Sequence, residues 1–169
     1  MSGIRIGLLS DTHGYIDNHI MNLLKECDEV WHAGDVGENG VFQHLQQFQK
    51  LRIVYGNIDT VSLQKSIPED LTFRVEGFKV LMTHIAGNPP KFNKRVKAIL
   101  EIEKPDIVVC GHSHILKFGW DKENQLWFMN PGAAGKHGFH AMRTMLRFTL
   151  VQGKIENAEV IELGKRGTI

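Results

Sequence analysis

Apolar positions along this chain follow two periods, and the change comes near the middle. Ile4–Leu9 reads as a strand buried on both faces. Residues 17–27 then place Ile20, Leu23, Leu24 and Cys27 on one helical face. Residues 29–33 predict a second strand. Residues 38–49 set Val41, Leu45 and Phe48 at the i, i+4, i+7 spacing of an amphipathic helix, and 52–55 predict a third strand. Strand, helix, strand, helix, strand is the order of a parallel sheet with helices on its faces.

The period then shortens to two. Leu71, Phe73 and Val75 alternate with Thr72, Arg74 and Glu76, and Phe78–Thr83 follows a Glu76-Gly77 turn as a hairpin partner. Residues 91–103 predict a helix with Phe92, Val96, Ile99 and Leu100 inward, stopped by Pro105. Residues 106–110 read as a buried strand. Two hairpins follow, 115–120 with 125–129 and 143–151 with 154–163, the latter turning at Gln152-Gly153. Residues 58–70 show no clear period and read as a surface loop crossing near the site. The sum is one α/β domain over 1–169, two packed sheets with helices outside, without internal repeat or linker.

Composition narrows the classes. With 169 residues and 42% apolar content the chain can bury one sizeable core. Its 20 basic and 19 acidic residues give a formal charge of +1, which predicts neither a nucleic-acid surface nor a polybasic membrane patch. The densest basic cluster, Lys91, Lys94, Arg95 and Lys97, alternates with apolar residues at helical spacing and reads as a solvated helix face. No run approaches the ~20 apolar residues of a membrane span. Ile4–Leu9, followed by Asp11, is too short for a signal-peptide core. Cys27 and Cys110 read as small buried hydrophobes, with an accessory metal or redox role for Cys110 as the alternative. Two cysteines make no disulfide framework and suit a cytoplasmic setting.

Candidate chemistry sits where the apolar runs end. Asp11 and His13 follow the first, Asp35 the second, Asn57 the third, His84 the run ending at Thr83, and His112 and His114 the run ending at Gly111. Carboxylate, amide and imidazole donors suit Mn, Fe, Co, Ni or Zn rather than a thiolate-bound structural zinc. Seven donors exceed one four-coordinate ion and suit two divalent ions sharing a bridging carboxylate. Asp-x-His and His-x-His are read as extended segments presenting both side chains on one face. Gly34, Gly56 and Gly111 precede ligands, where they let the backbone turn sharply and approach the ions. Two ions ~3.5–4 Å apart activate a bridging hydroxide and clamp an in-line displacement at phosphorus. Taken singly, each motif is as well explained by a turn; together they end successive strands, where open α/β sheets hold ligands.

Ser10-Asp11-Thr12-His13-Gly14, Gly34-Asp35, Gly56-Asn57-Ile58-Asp59, Thr83-His84 and Gly111-His112-Ser113-His114 resemble the successive blocks of calcineurin-like metallophosphoesterases. The length and Asn130-Pro131-Gly132 resemble the small YfcE-like phosphodiesterases within that superfamily. The resemblance covers roughly 4–135. It implies an αββα sandwich of two mixed sheets. It also implies Asp11, His13 and His114 on one ion, Asn57, His84 and His112 on the other, and Asp35 bridging. Asp35, Asn57 and His84 then act with the bridging hydroxide on a small phosphodiester, Mn being the expected metal. A homodimer is compatible with family analogy.

One position departs from that pattern. Many members carry a histidine where this chain has Ile58, and an alkyl side chain cannot donate a proton. The expectation is a preference for diesters with acidic leaving groups, such as aryl or nucleotide esters. His137 and His140, in the glycine-rich segment that begins at Gly132, are the candidate substitutes, against the alternative of a mobile surface loop. Asp59 is expected to orient a ligand or water. His32 is expected to pack in or beside the second strand, and His19 and His44 to be exposed. Two readings compete with the phosphodiesterase: a phosphomonoesterase, and a catalytically weak protein-binding scaffold like the retromer subunit built on this fold.

Overall fold

The computed structural model describes residues 3–167. Its first half runs β1 (Ile4–Leu9), α1 (Asn18–Lys25), β2 (Glu29–His32), α2 (Val41–Leu45), β3 (Leu51–Ile53), α3 (Val61–Ser66), β4 (Asp70–Val75) and β5 (Phe78–Thr83). Then come the short β6 (Gly87–Asn88) and β7 (Lys91–Phe92), α4 (Lys94–Glu103), β8 (Ile107–Val109), β9 (Leu116–Asp121), β10 (Leu126–Pro131), β11 (Met142–Val151) and β12 (Lys154–Lys165). The strands form two five-stranded sheets, ordered β12-β11-β1-β2-β3 and β4-β5-β8-β10-β9. Both are mixed. β1, β2 and β3 run parallel with β11 antiparallel beside β1. β5, β8 and β10 run parallel between antiparallel β4 and β9.

Strand β1 shows how the sequence makes the layers. Ile6 and Leu8 join Trp31, Val80, Met82, Ile107 and Phe148 in the core between the sheets. Leu9, on the other face, joins Ile20 and Leu24 of α1 and Val41 and Leu45 of α2. Gly7 lets α1 press close, since an added Cβ would fall 2.8 Å from Leu24 Cδ2. On the far side α4 covers the second sheet, with Val96 packed in one cluster with Leu81 and Val108. Truncating a fully buried member such as Leu8 to alanine costs about 2–5 kcal/mol. The result is the helix–sheet–sheet–helix order that the resemblance implied.

Three elements differ from the sequence expectation. The helix expected over 38–49 shrinks to α2, because Gly37 and Gly40 take positive φ (76° and 77°) and Gly40 becomes its N-cap. Residues 58–70 are not simply loop. Thr60 caps α3 by accepting the Leu63 N–H at 3.3 Å, and Asp70 already belongs to β4. None of α3 is buried, so no apolar period marks it. The helix expected from 91 begins at Lys94, because Asn93 accepts the Val96 N–H at 2.9 Å while Lys91–Phe92 pairs with Gly87–Asn88.

The loops after β1, β2, β3, β5, β8 and β10 meet along one seam between the sheets. Backbone bonds stitch them together: Asp11 N–H to Gly34 C=O, Gly111 N–H to His84 C=O and Gly135 N–H to Asp11 C=O, each 3.0 Å.

Candidate metal centre

Six of the seven side chains form two trios on that seam. In each trio, Asp11/His13/His114 and Asp35/His84/His112, the candidate ligand atoms all lie within 4.8 Å of one another. His114 Nε2 stands 3.2 Å from Asp11 Oδ1, and His84 Nε2 stands 3.2 Å from Asp35 Oδ1. Asp35 Oδ2 lies 3.5 Å from His13 Nε2, so the two oxygens of Asp35 face one trio each. Asn57 is exposed and lines the cleft above.

The backbone that delivers these side chains is not extended, which corrects the same-face argument for Asp-x-His and His-x-His. Asp11, His13, Asp35, His112 and His114 all take positive φ, between 46° and 68°. Asp and His tolerate this region better than most residues, yet each such residue carries strain. The turns split His112 from His114, sending one to each trio. The glycines before the ligands act mainly by admitting neighbours. At Gly34, with φ 95°, a Cβ would fall 2.6 Å from His84 Nδ1. At Gly56 it would collide with Asp35, and at Gly111 with Ser10.

Hydrogen bonds then aim the donors. Asp11 Oδ2 accepts from Ser10 Oγ at 2.7 Å and from the His112 N–H at 3.1 Å, leaving Oδ1 for the trio. His84 Nδ1 bonds the Ala33 carbonyl at 2.8 Å, which places its proton there and leaves Nε2 bare. Asp35 Oδ1 accepts the Ile58 N–H at 3.1 Å. Asn130 holds the His112–His114 turn by donating to Gly111 C=O at 2.9 Å.

The arrangement fits a pair of cations. Asp11 Oδ1, His13 Nε2 and His84 Nε2 are buried and make no hydrogen bond, although each carboxylate–imidazole pair is close enough for one. Isolating such atoms costs about 1–3 kcal/mol each. Separations of 3.2 Å match neighbouring donors on one ion, which lie about 3.0–3.4 Å apart when each is ~2.1 Å from the metal.

The family model for the calcineurin-like phosphoesterase superfamily domain matches residues 4–153. The chain belongs to that superfamily. A probable metallophosphoesterase of Methanothermobacter thermautotrophicus is 25% identical over 134 residues, 76% of each chain. Among solved structures, an archaeal phosphodiesterase superposes with a TM-score of 0.72 at 18% identity, covering 95% of this chain and 100% of its own. Entamoeba histolytica Vps29, solved with zinc, gives 0.67 at 18% identity, covering 94% and 99%. These two likenesses establish the shared fold.

Protonation in this phosphoesterase-family centre favours cation binding. Burial raises the Asp11 carboxyl, but the His114 and His13 rings, His84 and the Ser10 hydroxyl outweigh it and hold it well below the usual range. Asp35 is also lowered, burial being outweighed by His84 and the Ile58 N–H. Burial, seconded by the charge on His84, lowers His112 and keeps it a neutral donor. His84 alone runs the other way: Asp35 and Asp11 outweigh its burial and raise it, so at this ring an ion competes with a proton.

Above the trios opens a cleft of about 430 Å³, lined by His13, Asp35, Asn57, Ile58, His112 and His114 below and by the loop after β10 above. Ile58, Ile115 and Phe139 give it exposed apolar walls. The two loop histidines differ. His137 is exposed, its ring 5.0 Å from that of His13. His140 has both nitrogens engaged, Nδ1 at 3.3 Å from His114 Nδ1 and Nε2 at 2.9 Å from the Gly135 carbonyl.

Asp59 braces backbone rather than touching a candidate ligand side chain. It accepts the N–H groups of Val36, Gly37 and Gly56 at 3.2, 2.8 and 2.7 Å, tying the Asp35 loop to the Asn57 loop. His32 is fully buried and acts as a second brace. Its Nδ1 accepts the Gly34 N–H at 3.2 Å, and its Nε2 meets Thr12 Oγ1 at 2.9 Å. Burial pulls its pKa down to about 4. Ser10, Thr12, Ile115 and Phe139 carried no chemistry in the sequence reading. The signal the sequence offers is adjacency, of Ser10 and Thr12 to Asp11 and of Ile115 to His114. His19 and His44 are exposed, as expected. Cys110 is closed off, and burial pushes its thiol up to about 12, which removes the thiolate that a redox or metal role requires.

Proposed function

We propose that this chain is a phosphodiesterase dependent on two divalent ions, Mn²⁺ being the first to test. The observation that carries the reading is the carboxylate of Asp35 set between two trios whose buried donors lack partners. Asp11, His13 and His114 hold one ion; Asn57, His84 and His112 hold the other; Asp35 serves both. Bound together, two such ions supply Lewis-acid activation of water and neutralise charge on the phosphate oxygens.

The protein's own groups do the rest. Ser10 and the His112 N–H hold Asp11 so that one oxygen faces its trio. The Ile58 N–H holds Asp35. Ile58, Ile115 and Phe139 line the cleft with exposed apolar surface and suit an aromatic or otherwise apolar ester arm. The Ile58 side chain supplies no acid, which favours leaving groups that depart without a proton. His137, open to the cleft beside His13, is our candidate to meet the ester oxygens, supported by its exposure there.

Turnover of bis(p-nitrophenyl) phosphate on adding Mn²⁺, with two ions per chain at saturation, is the expected result. The likeness to Vps29 keeps the scaffold reading alongside. Metal binding without turnover of any diester or monoester favours that scaffold. One ion per chain with monoester turnover favours the phosphomonoesterase.

A further inference from the structure

We infer that His140 is a positioning residue for His114, so that the loop after β10 sets the tautomer and tilt of one donor of the first trio. The inference rests on the metal assignment proposed above for its consequence in binding, but its geometry is independent of it.

The bonding order follows from what each atom can do. The Gly135 carbonyl only accepts, so His140 Nε2, at 2.9 Å, carries a proton and donates it. A neutral imidazole protonated at Nε2 presents a lone pair at Nδ1. His114 Nδ1, at 3.3 Å, is therefore the donor in their contact. His114 Nε2 is left bare, and it faces Asp11 Oδ1 at 3.2 Å. A chain of three groups, Gly135 to His140 to His114, thus delivers a lone pair to the trio. The two rings meet nearly edge-on, 5.2 Å apart and inclined by 72°.

The loop is shaped for this contact. Gly138, with φ 123°, lies directly against the His114 ring, where a Cβ would collide with Nδ1 and stand 3.2 Å from His140 Nδ1. Any side chain there would drive the two histidines apart. The second trio solves the same problem differently. His84 is fixed by a main-chain carbonyl, that of Ala33, which no substitution removes. His114 depends on a side chain, so its orientation can be edited where that of His84 cannot.

Two measurements on the full chain test this, with His140→Ala and His140→Asn. The Asn carbonyl oxygen stands where Nδ1 stood and can still accept from His114. Long-range ¹H–¹⁵N correlation spectra of the metal-free protein should show His114 protonated at Nδ1 in the native chain and in His140→Asn. They should show the other tautomer appearing in His140→Ala. Calorimetric titration with Mn²⁺ should find one of two binding events weakened 10–100-fold in His140→Ala, the other within about twofold, and most of the loss recovered in His140→Asn.

His114 protonated at Nε2 in the native chain overturns the inference. So does a His140→Ala protein that keeps the native tautomer, or one in which both ions bind unchanged or weaken together. A chain that binds no ion yet shows the tautomer change sinks the metal assignment and leaves the pairing standing.

Discussion

The backbone N–H of Ile58 donates to Asp35 Oδ1 at 3.1 Å. The residue whose side chain offers no acid still serves the centre through its main chain, and any residue there can make the same bond. Replacing Ile58 with histidine should therefore add an acid without disturbing Asp35. If the proposed activity holds, the native protein should depend steeply on leaving-group pKa across a series of aryl and alkyl phosphodiesters. Ile58→His should flatten that dependence and raise turnover of the poorest leaving groups about 10²-fold. A flat series in the native protein would falsify the missing-acid argument.

Asp35 faces both trios, so its loss should be felt at both ions. Asp35→Asn keeps the size and an acceptor for the Ile58 N–H but removes the charge. Elemental analysis after dialysis should show fewer ions per chain, and kcat/KM should fall by more than about 100-fold, beyond what loss of an orienting partner costs. Two tightly held ions in the variant would remove Asp35 from its bridging place.

Gly34, after the second strand of the first sheet, lies hard against His84 of the second. Gly34→Ala sets a methyl against His84 and forces alanine to a φ of 95°. The backbone strain alone costs about 1–3 kcal/mol, and the displaced ring adds to it. Urea unfolding should show the midpoint falling with little change in slope. A variant as stable as the native protein, with its metal affinity intact, contradicts the close approach.

His32 makes stability depend on pH. Burial lowers its folded pKa to about 4, against an ordinary value near 6.5. The unfolded chain takes up a proton below about 6.5 that the folded chain refuses until about 4. Its contribution is therefore complete above pH 6.5 and is lost as pH falls toward 4, by up to ~3 kcal/mol. Metal-free protein melted at intervals from pH 4.5 to 7.5 should show this slope, and His32→Asn should be less stable but flatter across it. Parallel curves for the two proteins would assign the slope elsewhere.

His137 and His140 should separate kinetically. His137→Ala should lower kcat on diesters while leaving Mn²⁺ stoichiometry unchanged, because its ring lies beside His13 on the cleft side and is not itself one of the six trio donors. Unchanged kcat and KM would return His137 to the role of a surface residue.

Most of the fold is legible because buried strands announce themselves. Ile4–Leu9 and Phe78–Thr83 match their predicted bounds, and both hairpin turns, Glu76-Gly77 and Gln152-Gly153, take the positive φ that two-residue turns demand. Helix α3 shows no apolar period because only Leu63 of it packs partly against the core, and α2 starts late because periodicity ignores what Gly37 and Gly40 do to the backbone. The trios were legible as residue types at strand ends. Their pairing was not, since left-handed turns at Asp11, His13, His112 and His114 decide which side chains meet, and no spacing rule encodes them. The supports were hidden for a related reason. Asp59, His32 and His140 each make a contact across 20 residues or more of sequence, which only docking creates.

Each trio draws on both sheets. Asp11, His13, Asp35 and Asn57 leave the first, and His84, His112 and His114 leave the second. An ion bound by either set is therefore a cross-link between two halves of the core. Free metal at 100 times its dissociation constant would resist their parting by ~2.7 kcal/mol. A chain with its sheets ajar has no such centre at all, so the metal proposed there would reward only the finished fold.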